Sequence, residues 1–181
     1  MTDIELNNLK YPIGKYTKPV NLTRETVNNY INDIESFPLR LKTAIEHLST
    51  AQIDTAYRPN GWTIRQVIHH CADSHMNGFI RFKLTLTEEK PVVKPYLEER
   101  WAELADAKTM NIEPSIKLLE GLHVRWAVLL KSLSKKELEK DFIHPEHGKA
   151  FQLYEFLGIY AWHCNHHLAH ITSLKEANGW K

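Results

Sequence analysis

The sequence predicts an all-α protein, an antiparallel four-helix bundle with an extended N-terminal arm. Three observations indicate this fold. Four long segments repeat apolar residues at the period of an α-helix, turns containing proline or glycine separate them, and 181 residues with 43% hydrophobic content can bury one core. Helices with a single apolar face bury it best against one another. Because no repeat and no Gly- or Ser-rich linker divides the chain, we expect residues 1–181 to form a single domain.

The N-terminal segment and the first helix are predicted from turn residues and apolar spacing. The first 22 residues contain Pro12, Gly14 and Pro19, which favour an extended arm wrapped around the outside of the bundle. A helical pattern follows from about Thr23 to Leu48. Pro38 lies inside this pattern, so we expect a kink there and a first helix that can consist of two pieces.

The second helix has a clear start. Thr63 and Gln66 have the spacing of a capping box, in which the threonine hydroxyl and the glutamine side chain each satisfy a free backbone amide. We expect the helix to run from there to about Leu86. Residues 91–109 contain two prolines and are predicted to form a loop with one short helix.

The third and fourth helices complete the bundle. The third helix follows Pro114 and continues to about Leu133, with apolar residues on one face. Residues 141–150 are typical of a turn with a small hairpin. The fourth helix is predicted from Phe151 to about Ala177.

Composition excludes several classes of protein. The formal net charge of +1 argues against a dedicated nucleic-acid or membrane surface. No apolar run approaches the roughly 20 residues that span a bilayer, and the N-terminus lacks a basic stretch leading into an apolar one. We therefore expect a cytoplasmic protein. The two cysteines, Cys71 and Cys164, lie in apolar helical segments and do not indicate a disulfide framework.

Histidines in the fourth helix give the first indication of function. His163 and His167 are four residues apart, so their imidazoles lie one turn above each other and can point at one ion. At about 100° per residue, His167 lies roughly 40° from His163, and both border the apolar face, whereas His166 lies nearer the polar side. The phase therefore favours His163 with His167 over the equally spaced His166 with His170. The alternative interpretation is that the clustered histidines are ordinary core or surface residues whose hydrogen bonds are satisfied.

The second helix can supply a third ligand. His70 lies on a polar line beside the apolar face, whereas His69 projects away from this line and His75 faces the apolar row. The same helix carries polar side chains that could orient a ligand or bind an anionic substrate group, or could be exposed and hydrated: Asp73, Ser74, Asn77 and Arg81.

Four stretches, residues 57–77, 162–171, 9–15 and 80–84, resemble the DinB-like superfamily and specifically its YfiT subgroup. The resemblance implies a four-helix bundle in which one histidine of the second helix and an i, i+4 pair of the fourth hold one divalent ion. On matching positions these are His70, His163 and His167, the residues that helical phase also favours. Many members of the superfamily have Gln where His170 stands, which favours a supporting role for His170 over direct ligation.

The resemblance also implies a chemistry. The subgroup is described as metal-dependent hydrolases, so we expect a metal site that activates water toward a small-molecule substrate. Some relatives are thiol transferases that join a low-molecular-weight thiol such as bacillithiol to electrophiles, and a metal-binding stress protein without turnover is the third alternative. Zinc or nickel is the expected ion, although iron and manganese also accept imidazole ligands. YfiT-like relatives suggest a homodimer.

Overall fold

The computed structural model describes residues 2–19 and 23–181, except for the side chain of His147. Its N-terminal arm begins with a helix, α1 (Asp3–Lys10), and is irregular only from residue 11 to residue 19. The expectation of a wholly extended arm is therefore wrong for residues 3–10, and its last part, 20–22, lies outside the described residues. A capping box between Thr2 and Glu5 starts α1.

The irregular part of the arm lies along the last helix of the bundle. The indole N–H of Trp162 donates to the carbonyl of Gly14 over 3.1 Å. The ammonium of Lys18 donates to the carboxylate of Glu155 over 2.9 Å. These contacts place the arm beside the helix that carries the histidine pair.

The first long helix, α2 (Arg24–Ile45), is continuous through Pro38. The predicted division into two pieces is therefore wrong. A proline has no N–H and leaves the carbonyl four residues earlier, that of Ile34, without its helical partner. In this protein the ring N–H of His123, Nδ1–H, donates to that carbonyl, so a contact from another helix replaces the missing bond.

The middle of the chain follows the sequence prediction closely. After the short α3 (Thr50–Ile53), the second long helix, α4 (Ile64–Thr87), begins with the expected capping box of Thr63 and Gln66. Residues 88–112 then form a long connection with two single-turn helices, α5 (Glu98–Trp101) and α6 (Ala105–Lys108). One more short helix than predicted lies in this loop.

The C-terminal half contains the remaining two long helices and the small hairpin. The third long helix is α7 (Glu113–Ser132), followed by the single turn α8 (Lys135–Leu138). Strands β1 (Asp141–His144) and β2 (Lys149–Gln152) pair antiparallel. The fourth long helix, α9 (Leu153–Ala177), starts two residues later than predicted because Phe151 and Gln152 belong to β2.

The four long helices α2, α4, α7 and α9 form a bundle, as predicted, with a specific pattern of directions. Helix α2 is antiparallel to α7, since Glu35 pairs with Lys131 and Lys42 with Glu120. It is parallel to α9, since Arg40 bonds Asn165 and the carbonyl of Ala44 accepts from Lys175.

Helix α4 packs against the same two helices as α2, namely α7 and α9. It is parallel to α7, since His69 contacts Ser115 and Phe82 contacts Trp126. It is antiparallel to α9, since His70 contacts His163 and Phe82 contacts Phe156. Parallel neighbours need a connection that runs the length of the bundle, and residues 88–112 provide it between α4 and α7.

The core extends through all four long helices. Its largest fully buried side chains include Trp126, Phe37, Phe82 and Leu157. Among the described residues, none of the helices is both long enough and apolar enough to cross a bilayer.

Candidate metal centre

Three histidines converge where α4 and α9 pack antiparallel. His70 projects from α4, and His163 and His167 project from successive turns of α9. The Nε2 atoms of His70 and His163 are 3.2 Å apart, and one ring nitrogen from each of the three residues lies within 4.8 Å of the others. Nitrogen ligands bind zinc at about 2.0–2.1 Å, so two nitrogens on one ion lie roughly 2.9–3.4 Å apart. The His70–His163 separation has this value, and His167 is close enough for the three residues to be candidate ligands of one divalent ion.

Burial keeps these imidazoles in the form that binds metals. It lowers the pKa of His70 to about 4. For His163 and His167, burial and the neighbouring imidazoles lower the pKa well below the ordinary value of 6.5. All three rings are neutral at pH 7, and neutral imidazole is the ligand form of histidine.

The three histidines line an open cavity. This cavity has a volume of about 800 Å³, and its wall also includes Trp62, whose ring centroid lies 4.6 Å from that of His70. A second cavity of about 770 Å³ also reaches His163. Glu98 and Trp162 line both cavities. A small molecule in either cavity can therefore reach His163.

His170 lies directly behind His167. The two Nδ1 atoms are 3.4 Å apart, and Nε2 of His170 is 3.2 Å from the carbonyl oxygen of Lys10. Because a carbonyl only accepts, His170 carries its proton on Nε2 and offers a lone pair on Nδ1 to the N–H of His167. This arrangement leaves Nε2 of His167 free for an ion and gives His170 the position of a supporting residue.

A second group of histidines overlaps the first. His166, His167 and His170 also bring one nitrogen each within 4.8 Å of one another. In this group His166 stacks on Trp162 at 4.3 Å between ring centroids. Within the described part of the chain, the buried Nδ1 atom of His166 has no hydrogen-bond partner. The geometry thus offers two candidate positions for an ion, which share His167.

The four polar residues predicted on α4 lie in two different environments. Ser74 and Arg81 are buried and line the second cavity. Asp73 and Asn77 are half-buried, and the side chain of Asn77 donates to the backbone carbonyl of Asp73 over 2.8 Å. Burial and then the charge of Asp106 raise the pKa of Asp73 to about 6. The ring N–H groups of His163 and His167 face other histidines, so Asp73 does not orient these two rings.

Arg81 is a buried cation in the wall of the second cavity. Its side chain is 7% exposed, and its Nη2 donates to the carbonyl of Lys94 over 3.0 Å. Its Nε has no hydrogen-bond partner among the described residues, and no carboxylate within that part of the chain forms an ion pair with it. Buried guanidinium groups are normally paired, so this one can bind an anion that enters the cavity.

Sequence reasoning missed two histidines near the centre. Nδ1 of His163 lies 2.9 Å from Nε2 of His75, and Nδ1 of His75 lies 2.8 Å from Nε2 of His123. Both residues are at most 1% exposed. A histidine on an apolar face usually indicates an ordinary core residue, and His123 had no neighbouring histidine in sequence to draw attention to it.

Comparison with known proteins gives consistent matches over most of the chain. The model of the DinB superfamily matches residues 35–171. A Bacillus cereus protein named "Putative metal-dependent hydrolase" is 51% identical over 175 residues, which are 97% of this chain and 100% of the relative. A Bacillus anthracis protein of the same name is 50% identical with the same coverage.

A solved structure supports the fold. The structure of YfiT from Bacillus subtilis, described as "a probable metal-dependent hydrolase with an unusual four-helix bundle topology", superposes with a TM-score of 0.93. The two chains are 46% identical, and the match covers 96% of this chain and 99% of the other. The parallel pairs α2–α9 and α4–α7 described above depart from a simple up-and-down bundle.

Proposed function

This chain belongs to the DinB superfamily, and from that premise we propose that it is a metal-dependent hydrolase that holds one divalent ion through His70, His163 and His167. One observation carries the proposal: three neutral imidazoles from two helices converge at the wall of an open cavity. Three protein ligands leave coordination positions for water or substrate, which is typical of catalytic rather than structural sites.

The side chains around such a site have distinct roles. A bound zinc-like ion supplies Lewis acidity and lowers the pKa of water to about 7. His70, His163 and His167 hold the ion, and His170 orients His167 through its Nδ1 lone pair. Zinc or nickel is the proposed ion, and iron and manganese are compatible with the same nitrogen ligands.

Arg81 defines the proposed substrate class. Because this unpaired guanidinium lines the cavity that reaches His163, we propose that the substrate is a small molecule with an anionic group. Ser74 lines the same wall, where its carbonyl accepts from the Tyr160 hydroxyl over 2.9 Å. We propose Asp73 and Asn77 only as supports of this wall, because the side chain of Asn77 bonds the backbone carbonyl of Asp73.

A thiol transferase is the second candidate, and one observation favours it. Two cavities meet at His163, so a thiol could occupy one and an electrophile the other. An ion held by His70, His163 and His167 would lower the pKa of a coordinated thiol and so supply the nucleophilic thiolate form. A metal-binding stress protein without turnover has less support, because such a protein needs no open cavity at its ion.

An activity screen tests the proposal. Protein loaded with zinc or nickel is incubated with anionic and neutral esters, amides and epoxides, with and without bacillithiol, cysteine or glutathione. We expect hydrolysis that needs the metal but no thiol, and an Arg81→Gln variant should raise KM for anionic substrates only. Thiol-dependent conjugates would instead establish the transferase, and the absence of both products would contradict the enzyme proposal.

His166→Ala distinguishes the two overlapping histidine groups. If the ion is bound by His70, His163 and His167, this variant keeps its metal, because His166 contributes only to the other group. His163→Ala is the matched variant on the same helix and should lose the metal. Elemental analysis after dialysis against a weak chelator measures both. Loss of metal in His166→Ala with retention in His163→Ala would place the ion at the second group.

A further inference from the structure

A row of three imidazoles leads from the candidate metal centre into the core. It runs from His163 on α9 to His75 on α4 and then to His123 on α7, with nitrogen separations of 2.9 and 2.8 Å. The row ends at the backbone carbonyl of Ile34 on α2. Four different helices therefore contribute to one line of hydrogen bonds.

The carbonyl at its end fixes the direction of every hydrogen bond in the row. A carbonyl oxygen only accepts, so His123 carries its proton on Nδ1 and has a lone pair on Nε2. That lone pair requires the N–H of His75 to be at Nδ1, which leaves a lone pair on Nε2 of His75. His163 must then carry its own proton on Nδ1. Its Nε2 lone pair is left pointing at the site it shares with His70.

The Ile34 carbonyl is available because of Pro38. A helical residue at position 38 would ordinarily donate its N–H to that carbonyl, and proline has none to donate. Pro38 is itself buried in α2. The sequence thus provides a free acceptor in the middle of a helix, at the place where His123 reaches it.

Aromatic side chains enclose the middle of the row. The ring of His75 lies 5.2 Å from that of Phe37, 5.5 Å from Tyr160 and 6.1 Å from Trp126, measured between centroids. His75 is completely buried. Water therefore cannot replace either histidine as the partner of its neighbour, and an alternative tautomer would leave buried nitrogens unpaired.

We propose that His75 and His123 are positioning residues that hold His163 in the Nδ1–H tautomer and aim its Nε2 lone pair at the bound ion. The role of His163 as a ligand comes from the proposed function, whereas its tautomer in the metal-free protein does not depend on it. Partners that orient a metal-bound histidine typically change metal affinity by about 10–100-fold when removed.

The tautomer of His163 is measured first in the metal-free wild-type protein. Long-range ¹H–¹⁵N spectra of protein labelled at histidine distinguish Nδ1–H from Nε2–H, and the signals of His163 are assigned by their loss in His163→Ala. We expect the Nδ1–H form. An Nε2–H form in the wild-type protein would overturn the proposal before any variant of the row is made.

Two substitutions at position 75 then separate hydrogen bonding from packing. His75→Phe removes both hydrogen bonds, whereas His75→Gln keeps an oxygen that accepts from His163 and an amide that donates to His123. We expect His75→Phe to change the tautomer of His163 and to weaken zinc or nickel binding by about 10–100-fold in competition with a chromophoric chelator. His75→Gln should restore most of the affinity.

His69→Phe is the matched control. His69 lies on the same helix, is also buried, and bonds Ser115 over 2.8 Å and the carbonyl of Met110 over 3.3 Å. It should lose stability without loss of metal affinity. Equal weakening in His69→Phe, or full affinity in His75→Phe, would overturn the proposal. If the ligand assignment itself is wrong, His163→Ala also keeps its metal, which distinguishes the two failures.

Discussion

His167→Ala abolishes tight binding of the divalent ion while the bundle remains helical. His167 belongs to both histidine groups that could hold an ion, so neither position keeps three ligands without it. Zinc sites with four protein ligands bind with about 10–16 kcal/mol, and one ligand's share of about 3 kcal/mol corresponds to a loss on the order of 100-fold. The variant should therefore be nearly metal-free after dialysis against a chelator that the wild-type protein resists.

The bundle itself should survive this change. Most of its stability comes from buried apolar side chains such as Trp126 and Phe37, which the substitution does not touch. Alanine favours the helix, and the main local cost is the unpaired Nδ1 of His170, about 1–3 kcal/mol. Circular dichroism and a thermal melt check the fold, and elemental analysis checks the metal. Full occupancy in a folded His167→Ala protein would contradict the proposed site.

The metal-free protein loses stability steeply as the pH falls below about 6.5. Burial lowers the pKa of eight histidines in the folded state. The pKa falls to about 4 for His70, His123 and His166 and to about 3 for His170. It is lowered for His69, and it lies well below the ordinary value for His75, His163 and His167. In the unfolded chain each of these groups titrates near 6.5. Between the two values the unfolded state binds more protons, so stability is lost as the pH falls.

The effect is large because several groups act in the same direction. Each contributes up to about 1.4 kcal/mol per pH unit, against a total stability of roughly 5–15 kcal/mol for a domain. Asp73 and Glu98 oppose it, because burial raises the pKa of both, but they are two carboxyls against eight imidazoles. We therefore expect acid unfolding between about pH 6 and pH 4.

Urea unfolding at a series of pH values, with a chelator present, measures this dependence. His75→Gln is a suitable comparison, since it removes one titrating group and should lower the proton uptake on unfolding by about one. Bound metal should shift the acid transition to lower pH, because the ion binds only the neutral rings. A free energy of unfolding that stays constant from pH 7 to pH 5 would show that the buried histidines do not control acid stability.

Much of the fold could be predicted because its signals are local. The capping box of Thr63 and Gln66 starts α4 where the sequence places it, and the apolar spacing that follows persists for the whole helix. The same kind of signal was present at Thr2 and Glu5, where it starts α1, but the nearby Pro12 and Gly14 favoured an extended arm instead. A capping box needs only contacts within one turn, so it is readable without the rest of the protein.

The candidate site likewise has one part that local sequence predicts and another that depends on helix packing. The spacing of His163 and His167 places both imidazoles on one face of α9, whatever that helix packs against. His70 can join them only because α4 packs against α9, a pairing that the resemblance to a known family suggested. In the structure the Nε2 atoms of His70 and His163 are 3.2 Å apart. The parallel alignment of α4 with α7, by contrast, has no signature in either helix.

The sequence by itself determined the four long helices, the apolar faces that drive their packing and the histidine pair of α9, because each depends on residues within a few turns of one another. Only the tertiary structure decided the contacts of His75, His123 and Pro38. Local rules predicted a first helix divided at Pro38, because of a missing hydrogen bond, and a plain core residue at His75. Both expectations changed because a ring nitrogen of α7 reaches a carbonyl of α2, and such a contact depends on the relative position of helices far apart in sequence.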